Sequence, residues 1–235
     1  RILQTRRDTW QGHGKYKEPV APDTADLPDL PEGWVWASLA QITNINGGVT
    51  VDKNRRPLDP VTLPYLRVAN VQNGFLDLTE VKTITVSREK AEQCLLTPGD
   101  ILLNEGGDRD KLGRGWVWDG EISPCIHQNH VFRARPVIPE ISSKFISYYT
   151  NAFGQPFFMQ KGKQSVNLAS ISLTAISGLP IPLPSLKEQH EIVTAIGEKL
   201  REMAAVSNAC QIELTRSTAL RQSILKDAFA GRLVP

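Results

Sequence analysis

The sequence predicts an α+β protein in which a mainly β domain with short helices is followed by one long α-helix. Two observations carry this. From Trp34 to about Arg135, short apolar stretches are punctuated by Gly, Pro, Asn and Asp, as strands and turns require. From Leu186 to about Gly231 there is no proline, and apolar residues recur at helical spacing.

The elements follow in order. Residues 1–11 have helix-like polarity, with Ile2, Leu3 and Trp10 among arginines. Residues 12–33 carry prolines and glycines that fix φ or remove donors, so this stretch is expected to be an extended linker. A β domain over residues 34–184 is then expected. Its stretches are "VWASLAQI", "PYLRVANV", "GFLDL", "VKTITVS", "DILLNEG", "GWVWDGE" and "VFRARPVI". Val81, Thr83 and Thr85, and likewise Val131, Arg133 and Arg135, alternate with the period of half-buried strands. Phe145, Tyr148, Tyr149 and Phe153 follow a Ser cap at helical intervals and predict a short helix on the sheet. Pro180, Pro182 and Pro184 stand at alternate positions and predict an extended or polyproline strip, after which Ser185 caps a helix. Residues 185–235 form that long helix. Val193, Ile196, Leu200, Met203, Cys210 and Leu214 make an apolar stripe that continues, one residue out of step, through Leu220 and Ile224. At the usual rise, about 45 residues span near 70 Å, too long to fold back on a small domain, so the helix is expected to need a partner helix.

Composition bounds the function. The chain has 235 residues, and 27 Lys+Arg against 25 Asp+Glu leave a formal charge of +2, so a nucleic-acid site must come from local clustering. The three cysteines, Cys94, Cys125 and Cys210, stand alone with no CxxC pair, which fits a cytoplasmic protein and no zinc site. No apolar run is long enough for a membrane span, so no membrane partner is expected. Without an initiator Met, the chain reads as a piece of something longer.

The stretch "GGDRDKLGRG" fits neither GxGxxG nor GxxxxGK[ST], which argues against a nucleotide phosphate cradle. Gly106, Gly107, Gly113 and Gly115 read instead as hinges of a hairpin-like excursion with Arg109, Lys111 and Arg114 at its tip. No GxSxG elbow surrounds a serine, and no N/D-P-P-Y/F loop is present, so neither a hydrolase nor an adenine methyltransferase is indicated. His127 and His130 lie three apart in a stretch read as strand, where they would face opposite ways and not clip a metal. What remains is a set of mixed basic and amide clusters. They are Lys53, Arg55 and Arg56; Arg67 and Asn70; Arg109, Lys111 and Arg114; Gln128, Asn129 and His130; and Lys161, Lys163 and Gln164. Arg and Lys hold phosphates or guanine, and Asn and Gln can grip adenine, so these sets suit a base-reading surface.

The segment order "LPEGWVWASLAQI", "YLRVANVQNGFLDL", "LLTPGDILLNEGGDRDKLGRGWVWDGE", "CIHQNHVFRARP" and "SVNLASISLTAISGLPIPLPSLKEQHEIVTAI" resembles a type I restriction-modification DNA specificity subunit. The resemblance covers about residues 28–232, and "PEGW" and "LPIPLPSLKEQHEIV" are its most specific strings. It implies a target-recognition domain that binds double-stranded DNA and reads one half of a bipartite target. The long helix would then be a spacer in an antiparallel coiled coil, and residues 1–33 would be the end of a central helix and its linker, making the chain a C-terminal half. Val193, Ile196, Leu200, Met203, Leu214 and Ile224 become the dimerisation residues, facing either a second copy or the N-terminal half of the same subunit. The resemblance further implies a non-catalytic chain without cofactor. Methyltransferase subunits and restriction/translocase subunits would supply S-adenosylmethionine, ATP and Mg²⁺ chemistry. A scaffold or antirestriction-like decoy that binds only protein is the alternative.

Overall fold

The computed structural model describes residues 1–10, 15–52, 54, 56–107, 112–164 and 169–233. Its elements, in chain order, begin with α1 (Ile2–Asp8), β1 (Val35–Ser38), α2 (Leu39–Ile42), β2 (Thr43–Asn46), β3 (Pro60–Leu66), β4 (Lys82–Ser87) and α3 (Arg88–Cys94). There follow β5 (Asp100–Asn104), β6 (Gly106–Gly107), β7 (Gly115–Trp118), β8 (Ile126–His127) and β9 (Val131–Pro136). The chain continues through α4 (Ser143–Lys161), β10 (Lys163–Gln164), β11 (Ala169–Ser170), α5 (Leu173–Ser177), β12 (Pro180–Leu183) and α6 (Leu186–Phe229). The class is α+β, with a mainly β body and a long last helix. Two compact units result, Arg1–His190 and Glu191–Pro235.

In the first unit the central sheet has the order β2-β9-β5-β7, and all its neighbours are antiparallel. A second sheet, β4-β3-β8, pairs β3 with β8 in parallel. Strand β5 is buried at every position, as befits a central strand with both faces covered. One core cluster joins Leu66, Val71, Leu102, Trp118 and Val131; another joins Val49, Tyr65, Val86, Cys94 and Ile126 under the second sheet.

Serine caps set the helix starts. The Phe145 amide donates to Ser142 Oγ at 3.2 Å and opens α4. Ser185 and Glu188 form a reciprocal capping box at the start of α6, with Ser185 N to Glu188 Oε2 at 3.0 Å and Glu188 N to Ser185 Oγ at 3.2 Å. A similar box built on Ser38 and Gln41 turns "LAQI" into α2, a helical turn inside a stretch that reads as strand.

Of two further expectations, the extended reading of one strip holds and the half-buried reading of a strand changes. The strip over residues 180–184 contains a strand, since β12 pairs antiparallel with β1 from Val35↔Leu183 to Ser38↔Pro180. Pro180 and Pro182 are tolerated because bonding pairs alternate, so Ile181 and Leu183 carry the N–H groups the ladder uses in this two-stranded edge sheet. Strand β9 is not half-buried: Val131, Phe132, Arg133 and Ala134 are all buried. Its arginine face turns inward because it finds acceptors. Arg133 Nη1 donates to the carbonyls of Gln93 and Leu95, and Arg135 forms a two-point ion pair with buried Asp100 at 2.7 and 2.8 Å.

The linker is fastened to the body. Ser38 Oγ donates to the Val20 carbonyl at 2.7 Å and Trp36 Nε1 to that of Pro28 at 3.3 Å. In the second unit, the α6 side chains from Glu198 to Lys226 are exposed on every face. Among them Leu200, Met203, Val206, Leu214 and Ile224 present the apolar stripe to solvent. Val193 and Ile196 are half-buried. Among the described residues, no helix is long and apolar enough to cross a membrane.

Candidate nucleic-acid interface

The predicted polar clusters are scattered in sequence, and the fold gathers most of their segments around the C-terminal end of β5. Asn104, the last residue of that strand, is fully buried, and its Nδ2 donates to the carbonyls of Val68 and Val71 at 3.4 and 2.9 Å. This ties the loop after β3 to the strand end. The tip of that loop reaches β7, with Gly74 N bonded to the Gly115 carbonyl at 3.3 Å. Glu105 follows and is held on both sides of its peptide: its amide donates to the His130 carbonyl at 2.9 Å, and its carbonyl accepts from Ile171 N at 2.8 Å.

Two more segments join by backbone bonds. Strand β6 pairs with β11, and β11 with β10, so Gly106–Gly107 lies in one small sheet with Lys163–Gln164. The turn over Gln128–His130 is fixed to Leu66 by Gln128 N at 2.9 Å and to Val49 by Asn129 N at 2.8 Å. The same contact anchors the loop that leaves β2, where a Cβ on Gly48 would lie 2.0 Å from the His127 carbonyl oxygen. Only glycine lets these two backbones come so close. Five segments therefore meet: the loop after Val49, the loop after Leu66, the stretch from Glu105 towards Arg114, the turn at Gln128–His130, and the β10–β11 hairpin.

The individual residues divide accordingly. Gln128 and Asn129 are half-buried and His130 is exposed, with its Nδ1 on Glu105 Oε2. Arg56 is exposed in the loop after Val49. Lys53, Arg55, Arg109 and Lys111 lie outside the described residues. Lys163 and Gln164 form β10. Arg67 is mostly buried and bonds the Glu80 carbonyl at 3.3 Å.

Three expected base readers are placed differently. Asn70 is buried, with its amide nitrogen on the carbonyls of Asp77 and Glu80 and its oxygen on Arg67 N, so it shapes the loop after β3 and does not face a base. Arg114 sits at the root of the excursion, not its tip, because its carbonyl accepts from Asn104 N at 3.0 Å and continues the β5–β7 ladder. Lys161 ends α4 and lines a groove of about 450 Å³ that also includes Asp23 and Asp26 of the linker. The excursion is hairpin-like, as expected, since β5 and β7 on either side of it pair antiparallel, while Gly106 and Gly107 pair with β11.

The two histidines have separate environments. His127 is fully buried, and its Nδ1 donates to the Val131 carbonyl at 2.6 Å. Burial pushes its pKa down to about 4, which keeps it neutral at physiological pH. Strand alternation was expected to separate the pair; β8 spans only Ile126–His127, and the turn after it carries His130 to the surface. Sequence reasoning overlooked Asn104 and Glu105. Their signal was a pair of polar residues closing an uninterrupted apolar strand, "ILLNE", directly before two glycines.

The family model for the type I restriction modification DNA specificity domain matches residues 31–208. The chain is 26% identical over 218 residues to the type I restriction enzyme EcoKI specificity subunit of Escherichia coli K12, covering 87% of this chain and 44% of that protein. It is 28% identical over 200 residues to the StySPI specificity subunit of Salmonella potsdam, covering 81% and 42%. The chain thus spans less than half the length of these relatives. Among solved structures, the HsdS subunit from Thermoanaerobacter tengcongensis shares the fold with a TM-score of 0.58 and 22% identity, over 89% of this chain and 48% of that one. A chain from a study of complex assembly and conformational transition in the type I R-M system gives a TM-score of 0.66 at 23% identity, over 89% and 49%.

Proposed function

The chain belongs to the type I restriction modification DNA specificity domain family, and on that premise we propose that it reads one half of a bipartite DNA target through the five segments gathered at the end of β5. The observation that supports this most is the gathering itself. Arg56, Gln128, Asn129, His130 and Lys163 are far apart in sequence, and the segments that carry them are joined by backbone hydrogen bonds around Asn104 and Glu105. Cations beside a base-reading surface suit phosphate contacts, while Gln128, Asn129 and His130 supply groups for base edges.

In this reading the chain carries out no chemistry. It places DNA before methyltransferase and restriction/translocase subunits, which hold S-adenosylmethionine, ATP and Mg²⁺. The exposed stripe of α6 pairs with an antiparallel helix, from a second copy or from the N-terminal half of the same subunit, and fixes the distance between half-sites. Sedimentation of the chain at micromolar concentration gives a dimer that Leu200→Glu with Leu214→Glu converts to monomer; a monomeric parent chain contradicts this pairing.

Salt dependence tests the DNA site. Arg109→Ala with Lys111→Ala lowers the slope of log affinity against log salt by about 1 to 2, near 0.9 for each lost phosphate contact. An unchanged affinity and slope would place the site elsewhere. Methyltransferase subunits should bind together with DNA; competition between the two would favour a protein-only scaffold.

A further inference from the structure

The segments gathered at the end of β5 are rich in cations and amides, yet an acid lies at their centre. Glu105 is the residue through which three of them meet, since its amide bonds the His130 turn, its carbonyl bonds Ile171 after the β10–β11 hairpin, and its chain continues into β6. Its side chain is 28% exposed. His130 Nδ1 holds Oε2 in a short hydrogen bond, and Oε1 makes no hydrogen bond among the described residues. His130 is in turn 3.5 Å from Asn129 Nδ2 through its Nε2. A carboxylate fixed at the backbone on both sides and clamped at one oxygen has little freedom left.

A carboxylate is a poor neighbour for phosphates, and nothing in a simple DNA-backbone clamp requires one at this place. Base edges give it a use. An ionised carboxylate only accepts hydrogen bonds. In the major groove, cytosine offers the N4 amino group and adenine the N6 amino group, whereas guanine presents O6 and N7 acceptors and thymine presents O4 and a methyl. An acceptor-only group therefore attracts the first two bases and repels the acceptors of the others.

Resting on the DNA-reading function proposed above, we infer that Glu105 is a specificity-determining residue. It accepts a hydrogen bond from the exocyclic amino group of cytosine or adenine at one position of the half-site and rejects guanine and thymine there, with His130 as its positioning residue. The selectivity combines attraction with repulsion, which a cation or a hydroxyl at this place would not supply.

Selection of duplexes from a randomised pool tests it, using the chain and its Glu105→Gln variant. Glutamine keeps the size of the side chain and an oxygen for His130, but adds a donor that tolerates acceptor bases. The parent chain selects a motif with cytosine or adenine at one position, and Glu105→Gln relaxes that position by about tenfold or more while the others and the thermal midpoint stay unchanged. His130→Gln relaxes the same position by a smaller factor. A second measurement avoids substitution of the protein: a duplex whose selected base lacks its exocyclic amino group binds the parent about tenfold more weakly. If the parent selects a motif that Glu105→Gln leaves intact at every position, or binds the amino-deleted duplex equally well, the role of Glu105 is overturned while the DNA-reading function stands. If the parent selects no motif at all, the base-reading function itself fails.

Discussion

Gly113 and Phe158 should be strongly coupled, and the geometry sets the size of the effect. Gly113 has φ +66°, in the left-handed region, and a Cβ built there would lie 1.9, 2.2 and 2.5 Å from three ring carbons of Phe158. That ring is fully buried. The same edge of the ring also lies close to Gly154, where a Cβ would be 2.8 Å from Cε2. Gly113→Ala should therefore cost about 1–2 kcal/mol for the left-handed backbone and about 1–3 kcal/mol for overpacking, together about 2–5 kcal/mol. Phe158→Ala alone removes a buried ring and should cost about 3–5 kcal/mol. In the double variant the vacated space admits the alanine methyl, so the overpacking cost disappears and the pair is less damaging than the sum by about 1–3 kcal/mol. Urea denaturation of the four proteins measures this directly. Additivity within about 0.5 kcal/mol would refute the idea that the glycine loop is seated on Phe158. Gly113→Ala should also weaken DNA binding, since Gly113 N bonds the Asn104 carbonyl at 3.1 Å and any shift reaches the strand end where the five segments meet.

Two further perturbations probe the scaffold beneath the loops. Arg135→Met leaves Asp100, fully buried, with the Thr97 amide at 2.8 Å in place of a two-point ion pair; the partly exposed arginine puts the loss near the low end of the range for a broken buried pair, about 3 kcal/mol, and a change below about 1 kcal/mol in urea would contradict it. For His127, folding lowers the pKa from 6.5 to about 4, so the unfolded chain takes up the proton first as pH falls. Its contribution is complete above about pH 6.5, is lost between there and pH 4, and then levels off, with a full loss of about 3 kcal/mol. His127→Asn should remove that part of the pH dependence, and a parent and variant with parallel stability curves over this window would exclude the assignment.

The legible parts of the chain were those where one local rule decides. Serine caps, the proline-free helical run and the period-two stretch at Val81–Thr85 mark α4, α6 and β4 without tertiary help. Position along the sheet was not legible. Arg133 and Arg135 look like an exposed strand face until Asp100 and the carbonyls of Gln93 and Leu95 turn them inward. Asn70 looks like a base reader until the carbonyls at Asp77 and Glu80 capture its amide. Each reassignment depends on a partner between 7 and 40 residues away, a separation that periodicity cannot see. The proposed interface was legible as a list of polar clusters, but not as a place. That required the backbone bonds through which Asn104 and Glu105 draw those segments to one strand end.

Hydrogen exchange of the chain with and without its selected duplex tests that placement most directly. Protection on DNA binding should fall on the five segments, residues 49–59, 67–77, 105–114, 128–130 and 162–171, and should leave β1, β12 and α6 beyond Glu191 unchanged. Protection concentrated on the β1–β12 edge or on α6, with the five segments unaffected, would contradict the account.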